Sequence, residues 1–147
     1  MENIVQKAME VFEIPSHRTH YLFLLPAFYV AKADGKLSLK EIMSLRLHAI
    51  TLGLIGPQDE DSADLESFFE KKIEQFGQEL KLSDLDLLAK AINARLANYA
   101  PEKAKTIRES IYQLCMNVAD ASGPLFGEKI TEEEREMLKQ IFYKLEK

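Results

Sequence analysis

The sequence predicts an all-α protein, a single-domain bundle of about seven helices in which one αα-hairpin is used twice. Three observations predict it. Apolar residues recur at helical spacing along almost the whole chain, and no stretch alternates as a strand does. Glycines, prolines and short polar caps interrupt that pattern about once per helix length. The length of 147 residues, with 46% hydrophobic and 29% charged residues, suits one domain over 1–147 with one buried core.

The first helix is expected over Glu2 to Glu13, with Ile4, Val5, Ala8, Met9 and Phe12 on one face. Pro15 and Ser16 separate it from a second helix over His17 to Ala33. The later half of that helix is apolar nearly all round, which places it at the centre of a bundle. Pro26 inside it requires either a kink or a helix that starts later. Asp34-Gly35 breaks it, and Ser38 with Glu41 forms a capping box that opens the third helix. The third helix carries Ile42, Leu45, Ala49 and Leu52 inward and stops at Gly53, before a loop containing Gly56-Pro57. The fourth, over Ser62 to Phe76, has Leu65, Phe68, Phe69, Ile73 and Phe76 as its apolar residues and Gly77 as its stop. The fifth starts at Ser83 and shows Leu85, Leu88, Ala89, Ile92 and Leu96. Pro101 suits the first turn of the sixth, which reaches about Ala121 on Ile107, Ile111, Leu114, Cys115 and Val118. Thr131 and Glu134 form a second capping box, and a seventh helix follows with Met137, Leu138, Ile141, Phe142 and Leu145.

Composition narrows the function classes. A net charge of −5 and a pI near 5.3, with no segregated basic face, argue against a nucleic-acid partner. The single Cys excludes an internal disulfide and points to a reducing compartment. The most apolar run, Tyr21 to Ala31, falls well short of the ~20 residues a bilayer span needs. No signal-peptide core precedes it, so a soluble, cytoplasmic protein without a transmembrane segment is expected. There is no G-x-S-x-G elbow, P-loop, dinucleotide fingerprint or H-E-x-x-H, so no enzyme is expected and no catalytic residue is assigned. His17 and His20 can share a helical face, but two histidines do not make a zinc shell, and Cys115 lies on an apolar face. Gln58-Asp59-Glu60-Asp61, with Asp64 and Glu66 beyond, concentrates acid at the start of the fourth helix. The helix dipole favours acids there; the functional alternative is a docking patch for a basic partner.

Two stretches are alike. Val30 to Glu41 reads VAKADG then KLSLKE; Val118 to Gly123 reads VADASG, followed at Lys129 to Glu134 by KITEEE. Ala31 pairs with Ala119, Ala33 with Ala121, Gly35 with Gly123, Leu37 with Ile130, Ser38 with Thr131 and Glu41 with Glu134. Pro124 to Glu128 are extra in the second copy. Each copy is an apolar helix, a glycine turn, an apolar residue, a capping box and an amphipathic helix. Pseudo-two-fold packing of the second and third helices against the sixth and seventh is therefore expected.

The segment Ala33-Asp34-Gly35-Lys36-Leu37-Ser38-Leu39-Lys40-Glu41 fits A-D-G-x-[IL]-[ST]-x-x-E. It resembles the signature of TerB-like domains, found in tellurite-resistance TerB proteins and before the J-domain of a membrane-anchored DnaJ-like co-chaperone. The family is all-helical and commonly carries two such motifs near the two ends of the domain, as here. The resemblance implies a bacterial stress-response protein, with roles proposed in metal binding or in scaffolding other stress-response proteins. The second copy departs from the pattern in having Ser122 where the first has Asp34; Asp120 lies two residues earlier.

Asp34, Gly35, Leu37 and Glu41 are spaced like the later half of an EF-hand loop, but Val30 and Lys32 occupy positions that must supply ligands, so this is no EF-hand. The local alternative is architecture: a glycine turn, a helix stop and a cap. The sharper expectation is a composite divalent-cation site of Asp34, Glu41, Asp120 and Glu134, facing one another across the pseudo-axis. The expected function is thus a non-enzymatic, cytoplasmic interaction module of the tellurite-resistance kind, with a divalent cation at its acidic hairpin turns. The alternative is a helical small-molecule or lipid-binding domain with its cavity beside Pro26.

Overall fold

The computed structural model describes residues 2–33, 39–56, 59, 62–76, 82–121 and 132–145, with the side chains of Glu2, Leu82, Asp120 and Ala121 excepted. Among them there are seven α-helices, one 3₁₀ helix and no strand. The helices are α1 (Glu2–Val11), α2 (Leu25–Lys32), α3 (Leu39–Thr51), α4 (Ala63–Phe76), α5 (Leu82–Leu96), α6 (Pro101–Ala121) and α7 (Glu132–Leu145). The 3₁₀ helix, Thr19–Leu24, leads directly into α2.

Pro26 explains that join. Proline lacks an N–H and clashes with the preceding turn inside a helix, but its fixed φ suits the first turn. The α-helix accordingly begins at Leu25 with Pro26 in its first turn, and the residues before it coil more tightly as a 3₁₀ helix. Every residue from Leu25 to Ala31 is buried, and α2 touches each of α3, α4, α5, α6 and α7. A helix with no polar face can be stable only in such a position.

Around α2 the other helices pair: α1 on α5, α3 on α6, α2 on α6, and α7 against both α5 and α2. Their buried faces join into one core. At its centre Phe28 meets Phe68, Phe69 and Phe76 with ring centroids 6.1, 5.6 and 5.5 Å away. Truncating Phe28 to alanine would cost about 3–5 kcal/mol.

Two helices end in the same backbone motif with different residues. After α3, Gly53 takes φ 76°, its N–H bonds to Ile50 O at 3.1 Å, and Leu54 N–H bonds to Ala49 O at 2.9 Å. After α1, Glu13 takes φ 52°, its N–H bonds to Glu10 O at 3.3 Å, and Ile14 N–H bonds to Met9 O at 2.9 Å. Both are Schellman caps, which satisfy the last carbonyls through one left-handed residue. Glycine occupies that position without strain; glutamate does not.

In α4 the buried stripe is Leu65, Phe68, Phe69, Lys72 and Phe76, while Ile73 is 41% exposed. Ile73, though one of the apolar residues of this helix, is left on its outer side. Three- and four-residue steps from Phe68 and Phe69 land on position 72, so a lysine takes the buried slot. Its ammonium donates to Gln75 Oε1 at 2.7 Å and lies 5.7 Å from the Phe68 ring centroid. No helix of the described residues is long and apolar enough to cross a membrane.

Candidate functional site

Among the described residues, a dense set of polar side chains joins the segment before α2 to the loop before α4. Asp59 is fully buried, and both of its carboxylate oxygens are occupied. Oδ1 accepts from Arg18 Nη1 at 2.8 Å and from the Tyr21 hydroxyl at 3.3 Å. Oδ2 accepts from Gly56 N–H at 3.1 Å and from His20 Nε2 at 3.0 Å, where a carboxylate requires the N–H tautomer. Burial alone would raise this carboxyl, but the Gly56 amide, His20 and Arg18 outweigh it and hold it below the usual carboxylate range. Nearer the surface, Asp64 accepts from His17 Nε2 at 2.7 Å and from Arg18 Nε at 3.2 Å. These two bonds, His17 first, lower the Asp64 carboxyl as well.

Local sequence explains the placement. Ser62 caps α4, accepting Leu65 N–H at 3.1 Å while its own hydroxyl donates to Asp59 O at 3.0 Å. That cap, with the Asp59 amide on Gly56 O at 2.9 Å, folds the loop so that Asp59 points inward beneath Tyr21. With each oxygen of Asp59 accepting twice, the carboxylate has little capacity left to activate a water or bind a cation. The cluster works as a clasp between two chain segments.

The described acids of the stretch from Gln58 to Glu66 all have partners. Asp59 is inside, Asp64 is held by His17 and Arg18, and Glu66 pairs with Arg46 at 2.9 Å. Each of these acids has its partner within the chain; Gln58, Glu60 and Asp61 lie outside the described residues. His17 and His20 each face a different aspartate, with Arg18 bonded to both acids. Cys115 is buried, and desolvation pushes its thiol far up, which fits packing.

Of the four acids expected around a cation, Glu41 and Glu134 are both buried, at 1% and 0% exposure. They occupy equivalent first-turn positions of α3 and α7. Asp34 and the Asp120 side chain lie outside the described residues, as do the cap residues Ser38 and Thr131. Among the described residues no group of three or more His, Cys, Asp or Glu could hold a metal ion. Beside Pro26, side chains of α5 and α7 including Leu88, Ile92 and Ile141 close up and leave no space a water could enter.

Another feature lies on α3. Leu39, Met43 and Leu47 are 72%, 63% and 60% exposed, four residues apart, and so form one ridge along the helix. Exposed apolar residues are ordinary singly; three in register on one helix are not. Lys40 is exposed beside them, and the helix's one acid, Glu41, is buried. The signal was in the sequence, since the third helix is apolar on the side away from Ile42, Leu45 and Ala49 as well.

Compared with known proteins, the chain matches no family model, no curated protein and no solved structure.

Proposed function

We propose that the chain is a non-enzymatic interaction module of the TerB-like, tellurite-resistance kind, a cytoplasmic stress-response protein that docks another protein on the outward face of α3. The observation that carries this reading is the ridge of Leu39, Met43 and Leu47, which costs free energy in water unless something covers it. Two-fold pairing with a second copy is the less favourable cover, because antiparallel helices crossing at Met43 would set Lys40 against Arg46. A partner helix with an apolar face and an acidic rim fits better.

The TerB-like part rests on the paired motifs and on how their helices pack. The first helices of the two motifs, α2 and α6, lie on each other, while α3 lies on α6 and α7 on α2. This is the exchange expected of two hairpins about a pseudo-two-fold axis. The buried pair Glu41 and Glu134 follows the same equivalence. A divalent cation at the acidic turns belongs to this reading as its finer part.

The test is a tellurite challenge of cells producing the wild type or Met43→Glu/Leu47→Glu at matched protein levels. Protection by the wild type that the double variant loses supports the reading. Equal survival with both proteins, or no protection by either, contradicts it.

A further inference from the structure

A groove of about 640 Å³ runs between the end of α5 and the first half of α6. Leu96, Ala97 and Ala104 line it with apolar surface, and Tyr99 and Tyr112 also line it. Two cations, Lys105 and Arg108, line it against one acid, Glu109. In a chain of net charge −5 that local balance runs against the whole.

The site is built firmly. Arg108 Nε donates to Leu145 O at 2.9 Å and Asn93 Nδ2 to Lys144 O at 3.0 Å, so both side chains cap the C-terminal carbonyls of α7. Arg108 is thereby fixed through Nε, while its two Nη groups have no partner among the described residues. The Lys105 ammonium likewise has none there. Tyr112 is packed against Phe142 with ring centroids 4.5 Å apart, and Lys103 lies 5.3 Å from the Tyr99 ring centroid. A guanidinium held by one nitrogen and open at two others is pre-organised for a planar or tetrahedral anion. The volume lies within the range of small-ligand sites, and mixed apolar walls with a few convergent polar groups are their usual lining.

We propose that this groove binds a small amphipathic anion, with its carboxylate or phosphate at Lys105 and Arg108 and its apolar body against Leu96, Ala97 and Ala104. Neither the α3 ridge nor the hairpin turns enter this site, so it stands apart from the docking reading.

The test is an NMR titration of the amide spectrum with phenyl phosphate, with benzyl alcohol as the uncharged control. The expected result is saturable shifts at Ala97, Tyr99, Lys105 and Arg108, with an apparent Kd below about 1 mM. Lys105→Gln, an exposed change that leaves the fold intact, weakens binding about fivefold, and Arg108→Lys, which keeps charge but loses the fork, weakens it further. Inorganic phosphate binds more weakly than phenyl phosphate because it leaves the apolar side chains of the groove wet. Sedimentation with anionic phospholipid vesicles then assigns the source: co-sedimentation lost in Lys105→Gln indicates a lipid headgroup, and none indicates a soluble ligand. The proposal is overturned if phenyl phosphate gives no saturable shift in the groove, if benzyl alcohol binds as tightly, or if Lys105→Gln binds unchanged.

Discussion

Replacing Asp59 with alanine removes the acceptor of four hydrogen bonds at once, from Arg18, His20, Tyr21 and Gly56. Breaking a buried charge pair by deleting one partner costs about 3–5 kcal/mol, chiefly because the other charge is left uncompensated. Here Arg18 and His20 are not sealed in: their side chains retain 19% and 31% exposure, so water can replace part of what they lose, though Tyr21 stays buried. We therefore expect about 3 kcal/mol, at the low end of that range. In a domain of 147 residues one kcal/mol moves Tm by about 3 °C, so thermal unfolding should fall by about 9 °C. Urea unfolding at pH 7 should give the same loss with an unchanged m-value. A double-mutant cycle with Arg18→Gln should return a coupling of about 1–3 kcal/mol. The carboxyl is depressed in the folded state, so its contribution is present above the unfolded value and disappears as pH falls through the folded one. The wild-type advantage over Asp59→Ala should thus hold from neutral pH to about 4 and shrink below. A loss under about 1 kcal/mol, or an advantage independent of acid, would refute the clasp as a source of stability.

Other outcomes follow from the same geometry. Burial lowers the Lys72 amine to about 8, so the native state binds fewer protons than the unfolded chain from there up to the ordinary lysine value. Stability should rise over that interval by about 2 kcal/mol after discounting for screening, and Lys72→Met should flatten the rise while stabilising the protein at pH 7 by about 1 kcal/mol. Guanidinium titrations at pH 7 and 10 check both. At the two left-handed caps, Glu13→Gly should stabilise by about 0.5–1 kcal/mol and Gly53→Ala should cost about 1 kcal/mol, although a Cβ at 53 would meet nothing within 4 Å. Scanning calorimetry should show the two Tm shifts with opposite signs. For the cation, chelated protein should gain about 8 °C with one of calcium, magnesium or manganese at roughly a hundredfold over Kd, and Asp34→Asn/Glu41→Gln should abolish the gain. No shift with any of them would remove the cation from the account and leave the turns as architecture.

How much could be read from the sequence depended on whether the signal was local. Helix order, the Gly53 stop and the central place of the apolar second helix are set by short-range spacing and steric rules. The structure repeats them, with the later start that Pro26 allowed. That Lys72 and not Ile73 is buried in α4 was not legible, because hydropathy favours the isoleucine while helix geometry favours position 72. Only the packed neighbours decide, and a long side chain can bury its stem if its amine finds Gln75. The Asp59 clasp joins residues about forty positions apart, and no periodicity encodes such a pairing. Both halves were visible, as a His-Arg-x-His segment and an acidic loop, but not that they meet. Nor does spacing show that Arg108 reaches a carbonyl of α7 while lining a groove with Leu96 and Tyr99.

The most direct test of the central claim is photo-crosslinking in the producing cell from a benzoylphenylalanine placed at Met43, with one at exposed Lys90 as the control. The adduct is then identified by mass spectrometry and the purified partner is rebound. The account predicts one discrete adduct from position 43 alone, with a partner that binds the wild type and Lys90→Glu but not Leu47→Glu. Identical adducts from both positions, or rebinding that survives Leu47→Glu, would contradict a docking face on α3.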